Sequence, residues 1–141
     1  MSLPSTPTPE LISGYLQQWE QLENYRLQEQ SLGLLFKQFC PTNDVLEHVL
    51  LKVSALNDFY STNIFDTYSV AKHILQKKID LRLRRGDHLL VNELAQVTIR
   101  EKQKNFYSFA SKYCSHHFPD IFPIYDSYVD RMLLQLLRVE C

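Results

Sequence analysis

Chemically versatile side chains crowd into residues 105–129, NFYSFASKYCSHHFPDIFPIYDSYV. Lys112 brings a primary amine, which becomes a nucleophile when desolvation or a neighbouring positive charge leaves a fraction of it neutral. Cys114, His116 and His117 add a thiol and two imidazoles, and Asp126 adds a carboxylate just ahead of a helix-periodic apolar run. Cys114 and His117 stand three apart, on one helical face, and zinc commonly takes Cys and His at such spacing. Two ligands are not four, however, and no spacing selects His48, His73, His88 or an acid to complete a set. The favoured reading is a buried thiol beside ordinary histidines, with no metal and no cofactor. A thiolate nucleophile at Cys114 would need a base and an orienting partner that the spacing does not supply. Asp126 also has a plain role, since an acid before an amphipathic helix is a good N-cap worth about 1 kcal/mol.

The formal charge of −1 conceals a pattern. Residues 1–66 carry net −5, residues 67–112 net +6 and residues 113–141 net −2. The basic middle third holds Lys72, Lys77, Lys78, Arg82, Arg84, Arg85, Arg100, Lys102, Lys104 and Lys112. Gathered on one face, these would neutralise a phosphate backbone. The plainer alternative is a set of solvated helix surfaces paired with the acidic N-terminal third. The Tyr and Phe residues could likewise stack on bases, but most recur at helical spacing, where core packing is the better reading.

Helices must position these groups. Thr8 followed by Pro9 is a start signal, a side-chain cap and a proline in the first turn. Leu11, Ile12, Tyr15, Leu16, Trp19 and Leu22 then repeat at helical spacing, which predicts a first helix to about Glu29. A separate short run, Leu32 to Phe39, ends at Cys40-Pro41, because the residue before proline is pushed out of the helical region. Val45, Leu46, Val49, Leu50, Val53, Leu56 and Tyr60 mark a central helix over 44–60, with Leu51 and Phe59 expected to pack on its other side. Asp66 or Thr67 caps a helix to Lys77, and a short piece over Ile79–Leu83 closes at Gly86 in left-handed conformation. Asp87 then caps a helix carrying Leu90, Val91, Leu94, Val97 and Thr98. Phe106, Phe109, Ala110 and Tyr113 mark another, closed by Pro119. A last helix follows Asp126, with Val129, Met132, Leu133, Leu136 and Leu137 expected to be buried. No alternating strand pattern is evident.

Three glycines in 141 residues disfavour sandwiches, barrels and doubly wound sheets, and leave no phosphate cradle. The expected fold is all-α, one orthogonal array of six to eight helices over residues 9–141 behind an extended, disordered lead at 1–8. The opening MSLPSTPTPE lacks a basic start followed by an apolar stretch, so it does not read as a secretory signal. No apolar run approaches the roughly 20 residues that span a bilayer. Cys40, Cys114 and Cys141, odd in number and widely spaced, suit reduced thiols in the cytoplasm.

One longer pattern carries more. The run SFASKYCSHHFPDIFPIYDSYV, preceded by GDHLLVNELA and LNDFYSTNIFDTYSVAKHI, resembles small bacterial proteins related to the 8-oxoguanine DNA glycosylase branch of the helix-hairpin-helix DNA glycosylases. The resemblance covers roughly residues 50–135. It implies an all-α, glycosylase-like fold in which a helical hairpin holds the DNA backbone. It also implies that Lys112 attacks the sugar carbon bearing a damaged base while Asp126 supplies the acid. The family's glycine-rich hairpin turn has no counterpart in residues 105–111. Under this reading Lys77, Lys78, Arg82, Arg84, Arg85, Arg100, Lys102 and Lys104 are candidate DNA contacts. The competing reading is a non-catalytic helical module that binds another protein or serves a structural role, with Lys112 a surface charge and Asp126 a cap.

Overall fold

The computed structural model describes residues 6–140, and its architecture is all-α with one small hairpin. Pro4 of the N-terminal lead and Cys141 lie outside the described residues. The helices are α1 (Pro9–Gln21), α2 (Glu23–Leu34), α3 (Leu46–Tyr60), α4 (Thr67–Lys77), α5 (Asp80–Arg84), α6 (Leu89–Ala95), α7 (Tyr107–His117) and α8 (Ser127–Glu140). Strands β1 (Gln96–Ile99) and β2 (Lys102–Asn105) form an antiparallel pair between α6 and α7, with Val97 opposite Lys104.

Several boundaries follow from the local chemistry already described. Thr8 Oγ1 accepts the Leu11 N–H at 3.1 Å with Pro9 opening α1. Asp66 caps α4 through Ser69 N–H at 3.0 Å. Gly86 holds φ +69° after α5, where an added Cβ would sit 3.0 Å from Ile121 Cγ2. Asp87 Oδ1 accepts the Leu89 N–H at 3.1 Å at the start of α6.

Other expectations are corrected. The first helix stops at Gln21, because Leu22 leaves helical geometry at φ −89° and ψ 79°, and Arg26 latches the break by donating to Glu20 O at 3.0 Å. The run at Leu32–Phe39 is not a separate helix. It continues α2 through Leu34 and Leu35, both helical, into a five-residue π-type turn, Leu35–Phe39, that ends before Pro41. Val97 and Thr98 lie in a strand, since α6 ends at Ala95. The hairpin turns at Arg100 and Glu101, both at positive φ (51° and 66°), as a two-residue turn of the primed type requires. Leu51 is exposed, so α3 buries one face and part of a second rather than both sides.

The core is one cluster to which α2, the π-type turn and helices α3–α7 contribute, with Phe36, Val53, Leu56, Ile74, Leu83, Leu90 and Tyr113 buried in it. α3 packs on α4, and α6 on α7. The terminal helices differ from expectation. α1 buries no residue, and on α8 Met132, Leu133 and Leu137 stand about half exposed or more (51%, 48% and 60%). Their apolar stripes are real, but among the described residues these side chains stay largely exposed.

Candidate active site

Residues 108, 112 and 116 are spaced i, i+4, i+8 on α7 and share one face. That face turns inward: Lys112 is only 6% exposed. Its Nζ donates to Ser108 Oγ at 3.0 Å, lies 3.6 Å from Asp126 Oδ2, and sits 4.7 Å above the centre of the Tyr60 ring. These groups open on a cleft of about 280 Å³ walled by Tyr60, Phe106, Tyr107, Ser108, Asp126 and Tyr128. The amine and the acid singled out in the sequence therefore share one concave wall.

Asp126 reaches this position because the segment after α7 is pinned at several points. Phe122 is buried in the core, and His88 Nε2 lies 2.9 Å from Ile121 O with its ring edge-on to Phe122. Ser111, one residue before the lysine, is buried; its Oγ accepts the Tyr125 N–H at 3.0 Å. The single hydroxyl proton has two acceptors in reach, Tyr125 O at 2.9 Å and Ser108 O at 3.0 Å. The carboxylate then divides its labour. Oδ1 accepts the N–H groups of Tyr128 and Val129, each at 3.0 Å, as the cap of α8, while Oδ2 faces the lysine. The cap and the candidate acid are the same group, and one role does not exclude the other.

Behind the amine, Tyr60 closes α3. Its Oη donates to Glu29 Oε2 at 3.3 Å and lies 3.0 Å from His116 Nε2. Burial, and then the Glu29 charge, push the phenol well above its ordinary range. Burial also lowers His116 below the usual histidine value, which favours the neutral ring here.

A second polar group, not foreseen from the sequence, lies deeper. Lys52 on α3 is fully buried. Its Nζ donates to Thr42 O at 2.8 Å and Asn43 Oδ1 at 2.7 Å, and lies 3.2 Å from His117 Nε2. Asn43 in turn grips Asp80 twice, through its backbone N–H at 2.9 Å and its Nδ2 at 2.7 Å. Tyr113 also donates to Asn43 Oδ1. Every polar atom in the cage has a partner, as burial demands. Desolvation lowers Lys52 to about 8. Burial first, then the Lys52 charge, push His117 down to about 3, so its ring is neutral and Nε2 is free to accept. The signal in the sequence was spacing: Lys52 stands three residues from Val49 and four from Leu56, on the apolar face of α3.

The thiol of Cys114 is buried and pushed up to about 12 by desolvation, which disfavours the thiolate. His117 Nε2 is committed to Lys52 and Asn43. Among the described residues no group of three or more His, Cys, Asp and Glu side chains is placed to hold a metal ion.

The basic candidates are spread over several surfaces. Arg100 and Lys104, on the hairpin, line a hollow of about 520 Å³ that shares Phe106 with the Lys112 cleft. Lys102 is exposed on the same hairpin. Lys77 lines a different hollow, beside Lys72 and Thr98, and Lys78 another, beside Asp44 and Asp80. Arg82 is engaged by Asp87 and Glu93. Arg84 and Arg85 are exposed around the end of α5. Of these candidates, Arg100 and Lys104 line the hollow that adjoins the cleft through Phe106. Also among the described residues, no helix is long and apolar enough to cross a membrane.

Comparison with known proteins gives a family. An uncharacterized protein of Haemophilus influenzae is 56% identical over 96 residues, covering 67% of this chain and 48% of that protein. The chain thus spans about half the length of the curated relative it matches. No solved structure matches it. The family HI_0787_N, described as an N-terminal domain, matches residues 11–121, a span containing Tyr60, Ser108, Lys112 and the whole Lys52 cage. On the extent of that match, the chain belongs to the HI_0787_N family.

Proposed function

We propose that this protein binds DNA and excises a damaged base with Lys112 as the attacking amine and Asp126 as the acid, as the resemblance to the 8-oxoguanine glycosylase branch implies. The observation that carries this reading is the 3.6 Å approach of a nearly buried amine to a carboxylate inside an aromatic-walled cleft. The cleft lies near the lower end of the roughly 300–1,000 Å³ usual for small-molecule sites. Its walls suit a flat, extruded base.

The chemistry follows from the arrangement. After the Lys112 ammonium gives up a proton, its lone pair forms a bond to the sugar carbon C1′, and the bond from C1′ to the base breaks, its electrons leaving with the base, which takes up a proton. Asp126 Oδ2, fixed beside the amine, stabilises the positive charge that develops on the sugar. The nitrogen then gives up a proton, and the ring oxygen O4′ leaves with the electrons of its bond to C1′ and takes up a proton, so that the open sugar carries an iminium that borohydride reduces to a stable amine. In this reading Arg100 and Lys104, which line the hollow sharing Phe106 with the cleft, receive flanking phosphates.

Two measurements test the reading. Borohydride in the presence of DNA carrying an oxidised purine should trap a covalent adduct, and Lys112→Gln should abolish it. Fluorescence anisotropy with short duplex DNA should show binding that weakens steeply with salt. Charge reversal at Arg100 and Lys104 should weaken it more than reversal at Arg84 and Arg85. No adduct with any of several damaged bases, and no binding at low salt, would leave the non-catalytic interaction module as the better account.

A further inference from the structure

Asp126 meets Lys112 with Oδ2 while Oδ1 caps α8, and the amine has further neighbours on its other side that fix its direction. Three elements converge on that task. Tyr60 comes from α3, Glu29 from α2, and His116 from the same face of α7 as the lysine, one turn on. The ring of Tyr60 places its face beneath Nζ at 4.7 Å. Its hydroxyl is held from the far side, donating to Glu29 and lying within hydrogen-bond distance of His116 Nε2. Because the hydroxyl proton goes to Glu29, the neutral His116 ring serves as donor to Oη, so both neighbours fix the same phenol. A ring face attracts an ammonium, and a ring tethered at its para position cannot swing away from it.

We propose that Tyr60 is the positioning residue of the Lys112 amine, its ring face tethered by Glu29 and His116 so that Nζ is held over the cleft between Ser108 and Asp126. This role rests on the reading of Lys112 as the reacting amine, but the contact itself does not depend on DNA. Tyr60 also forms part of the wall between two spaces, the Lys112 cleft and a small apolar hollow lined by Trp19, Tyr25 and Phe59. Its loss would let the lysine side chain relax away from Asp126.

The test uses the full chain without DNA. Acetylation by an N-hydroxysuccinimide ester at neutral pH is followed by peptide mass spectrometry, with exposed Lys102 as the reference and buried Lys52 as the reporter of an intact core. In Tyr60→Met, which keeps an apolar side chain but no ring, Lys112 should label about threefold faster or more relative to Lys102, since loss of the ring exposes the amine. Tyr60→Phe, which keeps the ring but loses its tether to Glu29 and His116, should fall between the wild type and Tyr60→Met, and a wild-type rate would overturn the tether. Equal labelling in wild type and Tyr60→Met would overturn the proposal. So would equal acceleration in Met and Phe, or labelling of Lys52 in Tyr60→Met, which would mark Tyr60 as a packing residue only. Borohydride trapping adds a second readout: Tyr60→Met should slow adduct formation about tenfold at saturating DNA. If the wild type traps nothing, the repair reading fails while the labelling result still decides the role of Tyr60.

Discussion

Lys52 Nζ and His117 Nε2 lie 3.2 Å apart in the core, a protonated amine donating to a neutral imidazole. Two opposite pH limits follow from this pair. His117 has an ordinary value of 6.5 but titrates at about 3 when folded. Between these values the unfolded chain binds a proton that the native chain refuses, so stability falls as pH drops below about 6.5. His73 and His116, also lowered, act in the same direction. Lys52, lowered from 10.5 to about 8, has the same sign at the other end: from pH 8 to 10.5 the native state has released a proton the unfolded state keeps, so stability rises. Denaturant melts across the range should show an acid slope of up to about 1.4 kcal/mol per pH unit for each such histidine.

Lys52→Met tests the cage directly. It should lower stability by about 2–4 kcal/mol, because Thr42 O, Asn43 Oδ1 and the Asp80 carboxylate lose the cation that balances them. It should also remove the gain between pH 8 and 10.5. A variant as stable as the wild type at neutral pH would show that the cage is neutral in net energy.

Asp126 permits its two roles to be separated. Asn can accept the Tyr128 and Val129 N–H groups as Asp does, whereas Ala cannot, so Asp126→Ala should cost about 1 kcal/mol and Asp126→Asn only a few tenths. Both should reduce borohydride trapping by about 10²-fold. Melting temperature and adduct yield, measured on the same two proteins, check this; full trapping by Asp126→Asn would reduce the residue to a cap.

At the hairpin tip, Arg100 and Glu101 occupy left-handed conformations that cost an L-residue about 1 kcal/mol each. Glu101→Gly should therefore stabilise the protein by about 0.5–1 kcal/mol in chemical denaturation. The opposite holds at Gly86, where φ is +69° and Ile121 crowds the missing Cβ. Gly86→Ala should destabilise by about 1–2 kcal/mol, and the shift in denaturation midpoint measures it.

Several caps and the end of α5 were readable because each is written locally, Thr8 with Pro9, Asp66, Gly86 and Asp126 acting on atoms within a few residues of themselves, whereas the break at Leu22 was not. The hairpin was not, since its turn uses Arg-Glu where Asn-Gly would have announced it, and Val97 and Thr98 continue the helical spacing of α6. Periodicity identified the apolar stripes of α1 and α8 correctly but says nothing of what covers them. In the site, Lys112 and Asp126 were legible as residue types, whereas Ser111, Tyr60 and Glu29 act through contacts that only folding creates. Ser111 to Tyr125 spans 14 positions, Tyr60 to His116 spans 56, and Glu29 to Tyr60 spans 31. Lys52 alone left a trace, as a charge among the apolar positions of α3.

The uncovered stripes of α1 and α8 bear on how the protein behaves in the hands of an experimenter. A dye such as ANS fluoresces on accessible greasy surface, and its signal is commonly taken as the mark of a loosened, molten species. Here Ile12, Leu16, Met132 and Leu137 offer such surface on helices outside an intact core. Bright fluorescence from a freshly purified sample would be the signature of the native state, and near-ultraviolet dichroism from Tyr113 and its buried neighbours would be the sounder gauge of tertiary order.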